Sequence, residues 1–377
     1  MKQENRIVQL DGLRGIAVLL VMAFHLLNNQ YGTQDISHLN KVEKILMKST
    51  YFGWCGVDLF FVMSGFLIGS ILLRNRGGEN YFSTFYIRRF FRIVPIYYIL
   101  LLIFIVLTFT SFYTTEAYIF EKPLPIPYYF LFLQNFLMSS HGHFGPEALT
   151  PTWSLAVEEQ FYLIMPLIVY YMRPKNLLYV ILFLIVAAPV CRAFTSNWYQ
   201  EYTLLTSRID SPAFGFLLAW LLQNERTKAF IEVHIQKIKW ISLPFLIISS
   251  ILYATARVGV INHSILAINF TLILLITLYL RKGLLFKVLT SRVLVVTGGL
   301  SYFLYLYHQL INGMFHLAFL KQHMPMLDSR TAYGVTFLGL LVLYVLARLS
   351  YKYLEQPLIK YSHSFKVAMR GAPANQL

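Results

Sequence analysis

The chain has 377 residues, of which 57% are hydrophobic, 16% aromatic and only 13% charged. Soluble domains carry about a quarter charged residues, so a single soluble core is excluded. With a mean hydropathy of +0.57 and repeated apolar runs, the chain reads as an all-α polytopic membrane protein. Its formal charge of +15, from 32 Lys and Arg against 17 Asp and Glu, fits cytosolic loops facing anionic lipid and argues against nucleic-acid binding. Two cysteines, Cys55 and Cys191, rule out a disulfide-rich ectodomain and a cysteine-built metal cluster.

The first apolar stretch, IVQLDGLRGIAVLLVMAFHLL, places Asp11, Arg14 and His25 in a predicted span over 8–27. It has no secretory cleavage site, so it is expected to stay in place as a helix. At 100° per residue, Arg14 and His25 fall within about 20° of each other and roughly 16 Å apart along the axis. Charge in lipid is expensive, so that face is expected to meet the protein interior or a wet cavity. It suits an elongated anionic substrate, gripped at the arginine and presented at the imidazole. A snorkelling arginine and a histidine packed on a carbonyl are the plainer alternative.

Further spans are predicted at 52–73, 88–110, 152–171, 176–193, 209–223, 238–255, 261–281, 293–317 and 333–350, giving about ten transmembrane helices around a central polar cavity. The stretch PIPYYFLFLQNFLM at 125–138 is apolar but short, which reads as a re-entrant or interfacial piece. It lies in the longest loop, about 111–151, whose Pro and Gly content predicts an ordered, turn-rich segment. One membrane domain is expected over 1–360, then a short tail at 361–377, with no second folded domain at either end.

Placing the N-terminus in the cytosol puts Lys2, Arg6, Arg74, Arg76, Arg88, Arg89, Arg92, Arg173 and Lys175 inside. The basic residues of 224–239, 281–292 and the C-terminal segment bring the inside count to 21. Nine fall on the other side: Lys41, Lys44, Lys48, Lys122, Arg192, Arg208, Arg257, Lys321 and Arg330, with Arg14 and Arg348, inside spans, counted on neither. Both termini are therefore expected in the cytosol of a multi-pass protein of a bacterial inner membrane.

That orientation sorts the intramembrane polar residues by depth. His25, Asp58, Glu158, Glu159, Arg208, Asp210 and His308 fall in one outer-half layer, while Arg14 and the Arg88/Arg89/Arg92 cluster form an inner basic layer. An imidazole beside a carboxylate is the apparatus of general-base catalysis. A structural ion pair, such as Arg208 with Asp210, is the alternative at each charge. Trp153 and Tyr162 flank the glutamates and offer aromatic faces to a sugar-like acceptor. Ser64-Gly65 reads as a packing point or the lining of a narrow tunnel. No metal site is expected, since His141 and His143 have no spaced acidic or cysteine partner.

Seven stretches in order carry a family resemblance: LDGLRGIAVLLVMAFH, GVDLFFVMSGFLI, FYIRRFFRIVPIYY, TWSLAVEEQFYLIMP, SRIDSPAFG, LSYFLYLYH and YLEQP. Together they resemble the bacterial integral-membrane acyltransferases of the acyltransferase-3 type, which O-acylate envelope polysaccharides and other glycans. The resemblance implies an acyl-CoA co-substrate, often acetyl-CoA, approached from the cytosol, with no tightly bound cofactor. It links the arginine matching Arg14 to donor handling and the histidine matching His25 to catalysis. Some larger relatives add an extracytoplasmic hydrolase-like domain, which is not expected here.

On that resemblance Arg14, Arg88, Arg89 and Arg92 would hold the donor phosphates, and Ser64-Gly65 would leave room for the pantetheine arm. His25 would deprotonate a hydroxyl of an envelope glycan or glycolipid, with Glu158 or Asp58 orienting the imidazole. Trp153, Tyr162, Arg208, Asp210 and His308 would support the site or the acceptor. A covalent acyl-enzyme relay is a second route to the same product. The rival classes are a proton-coupled transporter of a small acylated or sugar-like solute, which should show pseudo-symmetric halves, and a structural or signalling membrane protein.

Overall fold

The computed structural model describes residues 7–28, 41–255, 259–366 and 368. The basic residues Lys2, Arg6, Arg257 and Arg370 and most of the expected tail lie outside the described residues. In chain order the helices are α1 (Val8–Ala23), α2 (Lys41–Thr50), α3 (Gly56–Arg74), α4 (Tyr81–Leu107), α5 (Ile126–Phe130), α6 (Gln134–His141), α7 (Thr152–Tyr171), α8 (Pro174–Ala193) and α9 (Trp198–Thr203). They continue with α10 (Leu205–Arg208), α11 (Asp210–Gln223), α12 (Glu225–Thr255), α13 (Asn262–Leu278), α14 (Leu284–Leu289), α15 (Arg292–Gly299), α16 (Ser301–Leu320), α17 (Arg330–Ser350) and α18 (Gln356–Ser362).

The helix ends follow local rules. Asn197 caps α9 by accepting from the Gln200 amide at 2.9 Å, and Ser329 caps α17 through the Ala332 amide at 3.2 Å. Pro174 opens α8 after an extended Arg173. Gly142, at φ 68°, closes α6 in the left-handed region. α1 does not stop at Ala23 but loosens into a π-turn over Phe24–Asn28, and His25 sits in that turn.

A helix occupies each of the ten stretches where a span is expected. Six described helical segments are long and apolar enough to cross a membrane, or seven if α15 and α16, bent by 75°, count as one. The other three stretches differ for physical reasons. Glu158 and Glu159 interrupt the apolar run of α7, α11 has only 14 residues, and α12 spends its first half on charged residues. The short stretch at 125–138 forms α5 and α6, too short to span. The chain is thus an all-α, polytopic membrane protein.

The described chain falls into two compact units. The first comprises Met1–Gly15, Val57–Gly78 and Val157–Gly298. Here α11 packs against α8, α13 and α12, and α3 meets α11 backbone to backbone. A Cβ at Gly65 would run into the carbonyl of Pro212, and one at Gly215 into the carbonyl of Val62. The start of α1 is held likewise, with Gly12 against the Leu289 carbonyl and Gly298 against that of Asp11. Small residues permit such approach where lipid supplies no hydrophobic drive between helices.

The second unit comprises Ile16–Gly56, Glu79–Ala156 and Gly299–Leu377. In it α16 packs on α17 and α4, and α18 on α4. Tyr302 and Tyr307 donate their hydroxyls to the carbonyls of Ile93 (2.7 Å) and Ile96 (3.0 Å), on either side of Pro95. The expected ordered loop is present. Tyr97 and Tyr98 donate to the carbonyls of Tyr129 (2.8 Å) and Phe130 (2.9 Å), and buried Gln134 donates to the Thr152 carbonyl at 2.8 Å.

Candidate active site

In the second unit, the His25 ring meets a second imidazole. His25 Nδ1 lies 3.0 Å from His308 Nε2, with ring centroids 5.0 Å apart and planes tilted by 39°. His308 is buried, and its Nδ1 lies 2.7 Å from the Tyr305 carbonyl. Its neighbours on α16 are tied down as well. The Tyr305 hydroxyl pairs with Ser154 at 2.7 Å, and Gln309 donates to Glu147. Glu147 also accepts from Thr150 at 3.1 Å, and burial pushes its carboxyl up to about 7 despite that bond. Trp153 is buried in the same unit.

The basic cluster of α4 is also in this unit. Arg88 donates to the Phe365 carbonyl at 2.8 Å, Arg89 lies 5.8 Å from the Phe85 ring centroid, and Arg92 is exposed. In the outer loop His143 Nδ1 accepts from the Gly145 amide at 3.0 Å, and burial with nearby His141 and Lys122 lowers its pKa. Among the described residues no group of three or more His, Cys, Asp or Glu is arranged to hold a metal.

The first unit holds a buried charge network. Arg208 donates to Asp58 at 2.7 Å, and Arg192 donates to Asp210 at 2.8 Å; all four side chains are fully buried. Ser211 donates to Asp58 at 3.3 Å and Ser264 to Asp210 at 2.6 Å. His263 accepts from Arg208 at 2.7 Å, and the Arg208 guanidinium lies 5.1 Å from the Tyr202 ring centroid. The pairing differs from the adjacent Arg208–Asp210 pair that sequence offers. The two residues are neighbours in sequence, but each takes its partner from another helix. Arg192, expected on the outer surface, belongs to this interior network instead.

A second chain in the same unit links α3 to α7. Ser64 Oγ bonds the Tyr162 hydroxyl, which donates to Glu158 at 3.3 Å. Gly65 next to it is a packing point. Arg14 is half-buried and pairs with Asp11 at 3.6 Å. Cys55 and Cys191 are both half-buried.

Within each unit the structure brings some of the expected residues together. His25 and His308 come together, as do Asp58 with Arg208, and Ser64, Tyr162 and Glu158. Asp58 accepts from Arg208 and Ser211, Glu158 accepts from Tyr162, and His25 pairs with His308. Sequence reading passes over Glu147, Gln309, Tyr305, Ser154, Arg192 and His263 as site residues. Gln309 directly follows His308 in SYFLYLYHQ, but the others reach their partners only through tertiary contact.

An acyltransferase-domain family model matches residues 7–349. The O-acetyltransferase OatA of Staphylococcus aureus (strain NCTC 8325 / PS 47) is 27% identical over 376 residues, covering 93% of this chain and 57% of that protein. OatA of strain COL matches to the same extent. The chain thus spans little more than half the length of the curated relatives it matches. No solved structure matches it. With nearly the whole described chain inside the family match, the protein belongs to the acyltransferase-3 family of membrane acyltransferases.

Proposed function

We propose that this protein transfers an acyl group, acetyl foremost, from acyl-CoA to a hydroxyl of an envelope glycan or glycolipid at a bacterial inner membrane. The observation that carries this reading is the His25 imidazole, set in the π-turn that ends α1 and hydrogen-bonded through one nitrogen to His308. Its other nitrogen is the candidate general base. The acceptor hydroxyl gives its proton to that nitrogen and attacks the thioester carbon. The C–S bond then breaks, and the departing thiolate takes the proton back, leaving an ester and free coenzyme A. Family membership and the naming of the matched relatives as O-acetyltransferases support the reaction class and the acetyl donor.

In this reading the family resemblance assigns Arg14, Arg88, Arg89 and Arg92 to the donor phosphates as charge-assisted donors, and Ser64 to the pantetheine arm. Asp58, Arg208 and Asp210 hold α3, α8, α10 and α11 together, while Glu158, Tyr162 and Trp153 support the acceptor. The proposal keeps ten spans, a polar cavity and cytosolic termini, on the strength of the basic-residue asymmetry. No resident cofactor is required by the reaction.

Ester-linked acyl content of each envelope glycan fraction, compared between a deletion strain and its complement, tests the acceptor. At least one fraction should lose ester in the deletion and regain it on complementation. Equal ester content in every fraction would contradict the proposal.

A further inference from the structure

The two imidazoles do more than touch: their hydrogen bonds have a direction. A backbone carbonyl only accepts, so the 2.7 Å contact with Tyr305 requires a proton on His308 Nδ1. In neutral His308 the other nitrogen, Nε2, is then a lone-pair acceptor. The 3.0 Å contact with His25 Nδ1 must be filled by a proton from His25. That leaves the lone pair of neutral His25 on Nε2. We infer that His308, anchored on the Tyr305 carbonyl, is a positioning residue that holds His25 in the tautomer with Nδ1 protonated and Nε2 free to take the proton of the acceptor hydroxyl. The inference rests on the acyl-transfer reading above.

Three further observations bear on it. The π-turn over Phe24–Asn28 resets the angular position of His25 relative to a continued α-helix. The flanking residues of His308 are fixed, Tyr305 by Ser154 and Gln309 by Glu147, so α16 has little freedom to rotate. The tilted rings, at 39°, meet nitrogen to nitrogen rather than face to face. When His25 gains the acceptor's proton, its Nδ1–H still points at the His308 lone pair. The transient imidazolium is thereby stabilised with no new bond to make. This is the work a buried carboxylate does in a Ser-His-Asp triad, done here by a second, neutral imidazole.

The test uses the full chain in lipid nanodiscs, with three variants normalised to folded protein. In His308→Gln the amide oxygen sits about where Nε2 was and still accepts. His308→Phe fills the space and accepts nothing. His25→Gln removes the base. With acetyl-CoA and envelope glycan, His308→Phe should lower kcat on the order of 10²-fold, with KM for acetyl-CoA within about twofold, because donor contacts are untouched. His308→Gln should retain at least about ten times the turnover of His308→Phe, and His25→Gln should be inactive. A structural role for His308 predicts the reverse order, with the bulky apolar replacement tolerated and the glutamine no better. Either wild-type turnover in His308→Phe or equal loss in both His308 variants would overturn the inference. A second readout needs no turnover. Nitrogen-15 spectra of histidine-labelled protein should show His25 protonated at Nδ1, and a wild-type His25 protonated at Nε2 would refute the inference. A wild-type protein with no transfer at all would instead sink the acyl-transfer reading.

Discussion

In the proposed mechanism His25 divides two tasks between two nitrogens, and each replacement at this position separates them differently. Alanine removes both, and asparagine keeps a hydrogen bond but cannot accept a proton at the reacting position. His25→Ala and His25→Asn should each lower acyl transfer per folded protein on the order of 10²–10⁴-fold, the usual worth of a positioned base. Donor binding, followed by isothermal titration with coenzyme A, should stay near wild type in both. Arg14→Ala and a combined Arg88→Ala/Arg89→Ala change should do the opposite, weakening coenzyme A binding through lost charge-assisted contacts. Unchanged affinity in both variants would return those arginines to anchoring duty.

Glu147 gives the pH dependence of this neighbourhood. Its carboxyl is raised to about 7 by burial, so the folded protein holds a proton there that the unfolded chain releases near the ordinary glutamate value. Between those two values the folded state binds more protons, and this group's contribution to stability declines as pH rises. It is flat below the ordinary glutamate range and flat again above about 7. Glu147→Gln mimics the protonated acid and should remove that slope. The melting temperature in detergent, followed from pH 5 to pH 8 for both proteins, reads the difference. Parallel curves would show that Glu147 titrates normally.

At the scale of elements, glycines let α3 and α11 approach, and buried ion pairs tie α3 to α10 and α8 to α11. Gly65→Ala places a methyl group into the Pro212 carbonyl, and Gly215→Ala one into that of Val62. Either should cost about 1–3 kcal/mol or more, read as a lower melting temperature and less folded protein. Gly77→Ala meets nothing within 4 Å and should be neutral. Asp58 offers a sharper contrast. Removing one partner of a buried pair leaves a bare charge and costs about 3–5 kcal/mol. Asp58→Ala should therefore reduce folded protein, with partial recovery when Arg208→Gln is added. Folded but inactive Asp58→Ala would make it a chemical residue instead.

Much at this scale is written locally. The span of α1, the start of α7 at Thr152 and the end of α11 at Gln223 follow from apolar runs, and the motif ending at His308 points to the second imidazole. Other features depend on approach in space. The π-turn at Phe24–Asn28 has no breaker residue to announce it. Helix α4 begins at Tyr81 and α12 at Glu225, earlier than the apolar runs do, because helical propensity continues through charged residues beyond a hydrophobic window. Arg208 pairs with Asp58 across 150 positions because Gly65 and Gly215 let α3 and α11 close together. No spacing rule separates that pairing from the neighbouring Asp210. The contact between His25 and His308 is likewise a matter of approach in space, since the sequence shows two histidines at similar depth but not which faces which.

For the whole molecule, the asymmetry of 21 against nine basic residues sets the expected orientation. Burial of Arg192 and Arg208 in the interior network removes two charges from the outer tally and strengthens the contrast. A reporter active only outside the cytosol should be silent at residue 360 and bright when inserted near residue 115. The reverse would place the chemistry on the other face of the membrane.

The central claim is that a membrane acyltransferase works through the His25 imidazole, and one measurement meets it directly. Purified full chain in nanodiscs is given radiolabelled acetyl-CoA and envelope glycan, and label in ester linkage is counted per mole of folded protein. The account predicts transfer by the wild type that alkaline hydroxylamine releases, and a loss on the order of 10²-fold or more in His25→Asn. Undiminished transfer by His25→Asn would contradict it.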